Sequence, residues 1–233
     1  MNINCNNKDI FLYHGTERQR GNKIICNKKM EESIGDHHWL GDGAYFYEQL
    51  FFSYKWIKDM FKSKQNVNHK TFKELASKYM ILSCKIRVNE ERIFDIDNNI
   101  EHKYIFDRFS ERIQEGKSYS ERLKTQTIAD GVVLNVMFSE YKYMNKYDLV
   151  IASFKRNNFK YKNSRTRLNY VLEKQICVKN LKVVYDIIEK DFENEYDNLY
   201  DLMKEYSNRE QQNRVSYNKR KANPHNVYFK GRN

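Results

Sequence analysis

The sequence predicts an α+β fold in which strands form most of the first 188 residues and a few helices pack on them. Runs such as Tyr79–Val88 and Tyr147–Phe154 are rich in β-branched and aromatic residues, which is typical of buried strands. Between Gln49 and Phe61, apolar residues recur at helical spacing. The chain also holds 18 Tyr, 14 Phe and 2 Trp, and a disordered chain would be poor in aromatic residues.

The amino-terminal quarter reads as a strand, a helix, a glycine-containing loop and a second strand–helix pair. The first apolar run ends at a His-Gly-Thr triplet, where we expect the strand to lead into a turn. Apolar spacing distinguishes the helices from the strands. In chain order the predicted elements are a strand at Ile10–Tyr13, a short helix within Glu17–Lys29, a loop from Gly35 to Gly43, a short strand at Ala44–Phe46 and an amphipathic helix at Gln49–Phe61.

The middle of the chain reads as a series of strands interrupted by one charged helix. The strands are assigned from their content of Val, Ile, Tyr and Phe, and the helix from the spacing of Ile105, Phe109 and Ile113. In order we predict strands at Tyr79–Val88 and Ile93–Ile96, a helix within Asn99–Lys124, and strands at Gly131–Met137, Tyr147–Phe154 and Lys174–Val178, with Leu181–Val184 continuing the sheet.

The composition changes near Tyr185, which predicts a domain at residues 1–188 and an extension at 189–233. Asp186–Glu205 carries many acidic residues and reads as a surface helix. Asn208–Asn233 is basic and polar, with no acidic residue after Glu210, and is typical of a flexible tail. An acidic helix followed by a basic tail would offer a docking surface to a neutralising protein such as an antitoxin.

The net charge of +11 favours polyanionic partners, because basic proteins gain affinity by releasing counterions from phosphates. A general bias toward Lys and Asn would produce the same charge without any such partner. The four cysteines are far apart, which predicts neither a zinc site nor any other metal site and fits a reduced, cytoplasmic setting. No apolar run of about 18 residues occurs, so we expect no membrane association.

Two short segments combine the residue types that hold a flat heterocycle. His14 follows a strand and precedes Gly15, where a backbone group can approach a ligand closely. Trp39–Phe46 (WLGDGAYF) places two glycines before an aromatic pair, and small residues beside rings form a slot. Ser53 and Trp56 follow on one face of the next predicted helix. A ring, a hydroxyl and a second ring would therefore converge on one planar amide.

These segments resemble the diphtheria-toxin and poly(ADP-ribose)-polymerase class of ADP-ribosyltransferases, which carry a His–Tyr–Glu triad on split β-sheets. The resemblance rests on Leu12–Thr16 (LYHGT), on the Gly-x-Gly-x-Tyr-Phe motif at 41–46, and on spacing. Ser53 lies eight residues after Tyr45, and Trp56 lies eleven residues after it. The match covers roughly residues 10–60. It implies split antiparallel β-sheets with flanking helices, and NAD as a substrate.

The resemblance also implies a role for each matching residue. His14 would be catalytic and bind the adenosine-side ribose of NAD, next to Gly15 and Thr16. The Gly15 backbone and the Ser53 hydroxyl would hold the nicotinamide amide. Tyr45, the second catalytic residue, would sandwich the nicotinamide ring with Trp56. Trp replaces the usual Tyr at that last position, and its ring can still stack.

The third triad residue is expected on a late strand, where Glu173, Gln175 and Cys177 share one face. We assign Glu173 as the catalytic carboxylate and Gln175 as the second choice, in which case the usual acid would be missing. Cleavage of the nicotinamide–ribose bond develops oxocarbenium character, as glycoside cleavage does. A carboxylate beside the ribose would stabilise that charge.

The sequence therefore predicts an NAD-dependent ADP-ribosyltransferase that requires no metal. Small basic transferases of this kind resemble bacterial toxins of toxin–antitoxin and anti-phage systems. The charge favours an RNA or single-stranded DNA base as the acceptor, with a protein side chain as the alternative. A second hypothesis is a degenerate module that binds NAD or nucleic acid without turnover.

Overall fold

The computed structural model describes residues 7–35, 38–115, 129–155 and 171–206. The chain divides into two compact units, one comprising Met1–Phe154 and Lys174–Glu193 and the other Lys155–Glu173 and Asn194–Asn233. All the elements discussed below lie in the first unit, except the last residue of one strand, the start of another and a helix at residues 196–206. Among the described helices, none combines the length and hydropathy needed to cross a bilayer.

The first unit contains both helices and sheets, which confirms the α+β class. The helices are α1 (Arg18–Asn27), α2 (Leu50–Gln65), α3 (Phe72–Ala76), α4 (Ile100–Glu115) and α5 (Asp130–Ser139). The strands are β1 (Asn7–Glu17), β2 (Ala44–Phe46), β3 (Tyr79–Asn89), β4 (Ile93–Asp95), β5 (Leu149–Lys155), β6 (Leu172–Val178) and β7 (Val184–Glu189).

The first sheet has the order β1-β3-β7 and is antiparallel throughout. β1 is longer than predicted and runs through the His-Gly-Thr triplet, so that His14 lies within an edge strand, opposite Leu82 of β3, rather than in a turn. One face of β3, from Met80 to Val88, is buried in one core cluster together with Leu12 of β1. The register therefore fixes the direction in which the triplet is presented.

The second sheet has the order β2-β6-β5-β4 and is mixed. β2 and β6 are antiparallel, with Tyr45 opposite Cys177. β4 and β5 are parallel, so the expectation of antiparallel sheets is wrong for this pair. The reason is the connection between them. It contains α4 and α5, and a long helical connection allows the chain to return in the same direction.

The segment Gly131–Met137, which the sequence analysis assigns to a strand, is helical and forms most of α5. Its buried residues include Val133, Leu134 and Met137, and its other valines are half-buried. A short run that is apolar all round fits a buried strand and a buried helix equally well, because the run has no polar face to reveal its period. Packing in the core decided the outcome here.

The segment from Leu181 onward differs from its prediction. Leu181–Val183, expected to continue the sheet, is a 3-10 helix, and residues 186–189, the start of the predicted acidic helix, belong to β7 at the edge of the first sheet. The helix begins only at residue 196, and its Tyr196, Leu199 and Met203 are buried, so it is not simply a surface helix. The basic tail assigned to Asn208–Asn233 lies outside the described residues.

Candidate dinucleotide site

The first and second motifs meet where β1 approaches β2. The backbones of Tyr13 and Tyr47 form a two-way bridge, with N–H donors 2.8 and 2.9 Å from the opposing carbonyls. Next to this bridge, Nδ1 of His14 donates to the carbonyl oxygen of Tyr45 at 2.7 Å. The His14 ring also lies against Phe46, with ring centroids 5.5 Å apart. Residues that are 31 positions apart in sequence are thus held together.

The bond to Tyr45 determines the chemical state of His14. A carbonyl oxygen only accepts, so Nδ1 must carry the proton, and in a neutral ring Nε2 is then an acceptor. Burial lowers the pKa of His14 to about 4, an effect that the bond to Tyr45 only partly offsets. His14 is therefore neutral at physiological pH. It offers one acceptor nitrogen, which suits a ligand hydroxyl.

Gly15 allows α2 to approach β1 at backbone contact. A Cβ at this position would lie 2.8 Å from Cγ2 of Ile57, 3.0 Å from the Ser53 carbonyl and 3.0 Å from Cε3 of Trp56. Such distances are below normal carbon contacts, so a side chain at position 15 would displace the helix or the strand. The glycine therefore places the Gly15 backbone beside Ser53 and Trp56. Thr16 is buried, and its methyl group packs toward Gly21 of α1.

Ser53 carries a buried hydroxyl for which the described residues provide no hydrogen-bond partner. The side chain lies in α2 and is 0% exposed. An unsatisfied buried hydroxyl costs free energy, on the order of 1–3 kcal/mol, so such groups need an explanation. A ligand amide that completes the hydrogen bond would provide one. Trp56, one turn further along the helix, remains partly exposed.

Tyr45 is fixed by the loop that precedes it. Its hydroxyl donates to the Gly41 carbonyl at 2.6 Å and accepts from the Leu40 N–H at 2.9 Å. Burial raises the pKa of this phenol, so it stays protonated and keeps both bonds. The Tyr45 side chain packs with the core cluster around Leu40 and Cys177, whereas Phe46 faces the opposite core. Tyr45 therefore couples the loop to the strand that contacts His14.

Three residues that sequence reasoning missed hold the same loop, which we call the glycine loop (residues 38–43). Lys179 is buried, and its Nζ donates to the carbonyls of Leu40 (2.6 Å) and Asp42. Asn135 of α5 accepts from the Asp42 N–H at 2.6 Å. Cys177 donates weakly to the Asp42 carbonyl at 3.6 Å. In the sequence, Asn135 stands out only as a polar residue inside an apolar run, and Lys179 only as a polar residue directly after one.

Gly41, the first glycine of the glycine loop, occupies a position where no other residue fits well. Its φ of +73° lies in the left-handed region, which side chains other than glycine rarely adopt. A Cβ there would also lie 2.2 Å from Oδ1 of Asn135, which is the atom that holds Asp42. Backbone conformation and close packing on α5 therefore both require a residue without a side chain.

Both candidates for the third triad residue lie in β6 and are buried. Glu173 is 3% exposed and Gln175 is 6% exposed. Gln175 and Cys177 share a face by strand alternation, and Cys177 pairs with Tyr45. Glu173 belongs to the second compact unit and Gln175 to the first. A buried carboxylate on a strand is unusual and favours a specific role for Glu173.

The described residues contain no group of three or more His, Cys, Asp or Glu side chains arranged to hold a metal ion.

Comparison with known proteins shows that the chain is similar in sequence to an archaeal protein. No family model matches the sequence, and no solved structure matches it. The chain is 37% identical over 189 residues to the uncharacterized protein MJ0359 of Methanocaldococcus jannaschii, covering 75% of this chain and 84% of that protein. Identity at this level over most of both chains establishes common ancestry. The chain therefore belongs to the same protein family as MJ0359.

Proposed function

We propose that this protein is an NAD-dependent ADP-ribosyltransferase with a fold of the diphtheria-toxin and poly(ADP-ribose)-polymerase type. The observation that carries the proposal is the convergence of three separated segments. His14 contacts Tyr45 across the two sheets, and Gly15 lies against the backbone of Ser53 and the ring of Trp56. The ordered motifs that suggested the activity thus meet at one place in the molecule.

The chemical state of these residues fits the parts of NAD. Nε2 of neutral His14 would accept a hydrogen bond from the adenosine-side ribose hydroxyl. The Gly15 backbone and the Ser53 hydroxyl would bind the nicotinamide amide, which would satisfy the orphaned Ser53 Oγ. Trp56 and Tyr45 would flank the pyridine ring. Holding the ring fixes the orientation of the scissile bond to the ribose.

Glu173 is the proposed catalytic carboxylate, with Gln175 as the second candidate. The nicotinamide–ribose bond breaks with oxocarbenium character, and a nearby carboxylate stabilises the positive charge and orients the ribose hydroxyl. It can also accept the proton of the attacking group. ADP-ribose is thereby transferred to the acceptor, and nicotinamide leaves. These steps require no metal ion.

The acceptor we favour is nucleic acid, as RNA or single-stranded DNA, because the chain carries a net charge of +11. A protein side chain is the alternative acceptor. A basic transferase of this kind fits a toxin of a toxin–antitoxin or anti-phage system, in which an antitoxin would inhibit it.

Nicotinamide release tests the enzymatic proposal. Purified protein is incubated with NAD and with cellular RNA, single-stranded DNA or protein, and mass spectrometry detects nicotinamide and any added ADP-ribose. Glu173→Gln should lower the rate about 100-fold or more, since it removes a positioned electrostatic group. Gln175→Ala is the matched variant on the same strand, and it should retain activity if Glu173 is the acid.

The outcome separates the enzyme from a binding module. Activity that survives Glu173→Gln but falls in Gln175→Ala would move the assignment to Gln175. NAD binding without nicotinamide release from any fraction would show a degenerate module instead. Absence of NAD binding would refute the proposal.

A further inference from the structure

A second concave site lies behind the glycine loop and is not used by the candidate dinucleotide site. It is a cavity of about 530 Å³ in the first compact unit. Its floor is apolar and includes the buried Leu134, Phe106 and Ala152. Pockets of 300–1,000 Å³ with an apolar lining and a few polar groups are typical ligand sites.

One wall of the cavity is formed by two aromatic side chains. Trp39 and Phe154 lie with ring centroids 4.6 Å apart, and both are only partly buried. Partly exposed rings at the mouth of a cavity provide surfaces on which a nucleobase can stack. Such stacking contributes about 1–3 kcal/mol per base.

The rim of the cavity carries hydrogen-bond acceptors. The carboxylate of Asp97 is held in place by the N–H and the hydroxyl of Ser153, at 2.8 and 2.6 Å. Each of its oxygens keeps a further lone pair for a ligand. Asp130, at the first turn of α5, is also on the rim and exposed. The rim therefore suits a planar ligand whose edge presents N–H donors.

The cavity shares its wall with the candidate dinucleotide site. Trp39 and Leu40 line the cavity, and the Leu40 N–H bonds the hydroxyl of Tyr45. The glycine loop thus takes part in both sites, and an acceptor held in the cavity would contact the loop that fixes Tyr45.

We infer that this cavity binds the unpaired base of a single-stranded nucleic acid acceptor, with guanine the best match. The inference rests on the proposed transferase function. Guanine offers two N–H donors on one edge, which a fixed carboxylate accepts together, and its ring suits the Trp39–Phe154 wall. An arginine side chain has similar donors, but the apolar floor of the cavity suits the larger, neutral ring of guanine better than a guanidinium, whose charge is costly to bury.

The two tryptophans allow the two sites to be tested separately, because Trp39 lies in the cavity and Trp56 in the candidate dinucleotide site. In a Trp56→Phe variant, fluorescence reports only on Trp39. We expect a fluorescein-labelled decamer RNA with one guanine among uridines to quench it and to bind about tenfold more tightly than decauridine. In a Trp39→Phe variant, quenching by NAD reports on Trp56.

Further variants assign the binding to the cavity. Phe154→Ala should weaken binding of both oligonucleotides, and Asp97→Asn should remove the preference for guanine while keeping an acceptor for Ser153. Tyr104→Ala is the control, since this ring is 64% exposed and lies outside the cavity. Circular dichroism verifies that each variant is folded.

The outcomes distinguish the two proposals. Equal binding of both RNAs, unchanged by Asp97→Asn and Phe154→Ala, would overturn the base-binding inference even if NAD quenched Trp56. Quenching of Trp39 by an arginine-containing peptide but not by RNA would also overturn it, in favour of a protein acceptor. Failure of NAD to affect Trp56, with guanine binding intact, would refute the transferase function alone.

Discussion

Ser53 shows at the scale of one residue how stability and ligand binding oppose each other. Its hydroxyl is buried without a partner among the described residues, so the free protein bears the cost of desolvating it. Replacing a group of this kind by an apolar one of similar size is nearly neutral or stabilising, while a ligand loses the hydrogen bond that the hydroxyl would have made.

Ser53→Ala is therefore expected to leave the free energy of unfolding unchanged or raise it by about 1 kcal/mol, and to weaken NAD binding about tenfold. Urea denaturation and isothermal titration calorimetry measure the two quantities. Ser63→Ala, at an exposed position of the same helix, is the control and should change neither. A loss of stability in Ser53→Ala without a change in NAD affinity would count against the amide-binding role.

His14 is the residue whose protonation links the candidate site to the stability of the fold. Its pKa is lowered to about 4 in the folded chain, against 6.5 as the ordinary value. Below pH 6.5 the unfolded chain binds a proton that folded His14 does not, so stability falls as the pH falls toward 4. His69, with a pKa also lowered to about 4 by burial, contributes in the same window.

His14→Gln should make unfolding less dependent on pH. Between pH 7 and pH 5, His14 is expected to lower the free energy of unfolding of the wild-type protein by about 2 kcal/mol. In the variant, the free energy of unfolding should fall by that much less over the same range. Urea denaturation at both pH values measures the difference. His69→Gln is the companion variant, because it removes a similar contribution far from NAD and should leave NAD binding intact. A pH dependence identical in His14→Gln and wild type would show that His14 is not buried in its neutral form.

At the scale of elements, the glycine loop is the part of the site that depends on distant contacts. A buried ammonium from the end of β6, an amide from α5 and the hydroxyl of Tyr45 all bind its backbone. A loop held by three elements keeps its backbone conformation without a regular hydrogen-bond ladder. Removing one support should therefore affect both stability and the ligand site.

Lys179→Met tests this support. It keeps the length of the side chain but leaves the carbonyls of Leu40 and Asp42 without that donor, which should cost about 1–3 kcal/mol in the free energy of unfolding. We also expect weaker NAD binding, because the shifted loop would no longer fix Tyr45. Lys182→Met, at an exposed position nearby, is the control. Unchanged stability in Lys179→Met would show that the loop is held by other contacts.

At the scale of the whole molecule, charge is the property that bears on the acceptor. A net charge of +11 predicts that nucleic acid binding weakens steeply with salt, since each neutralised phosphate releases a counterion. For single-stranded RNA we expect the affinity to fall at least about tenfold between 50 and 200 mM salt. Fluorescence anisotropy at several salt concentrations gives the slope. Binding that is weak and independent of salt would indicate that the charge reflects composition alone.

The sequence by itself determined the elements whose patterns are local. The helix within Gln49–Phe61 and the strands at Tyr79–Val88 and Tyr147–Phe154 have unmistakable periodicity or β-branched content, and they are present as α2, β3 and β5. The α+β class followed from them. The residues of the candidate site were identifiable because ordered motifs of matched spacing are visible in one dimension.

Only the tertiary structure decided the features that depend on contacts with distant parts of the chain. Gly131–Met137 forms a helix because α5 packs within a core, and the segment at Val184–Glu189 becomes a strand because β3 has a free edge there. The support of Lys179 for the glycine loop joins residues 139 positions apart, and no local pattern announces such a contact. Local periodicity reveals which face of an element is apolar, but the partners of that face are set by the packing of the whole chain.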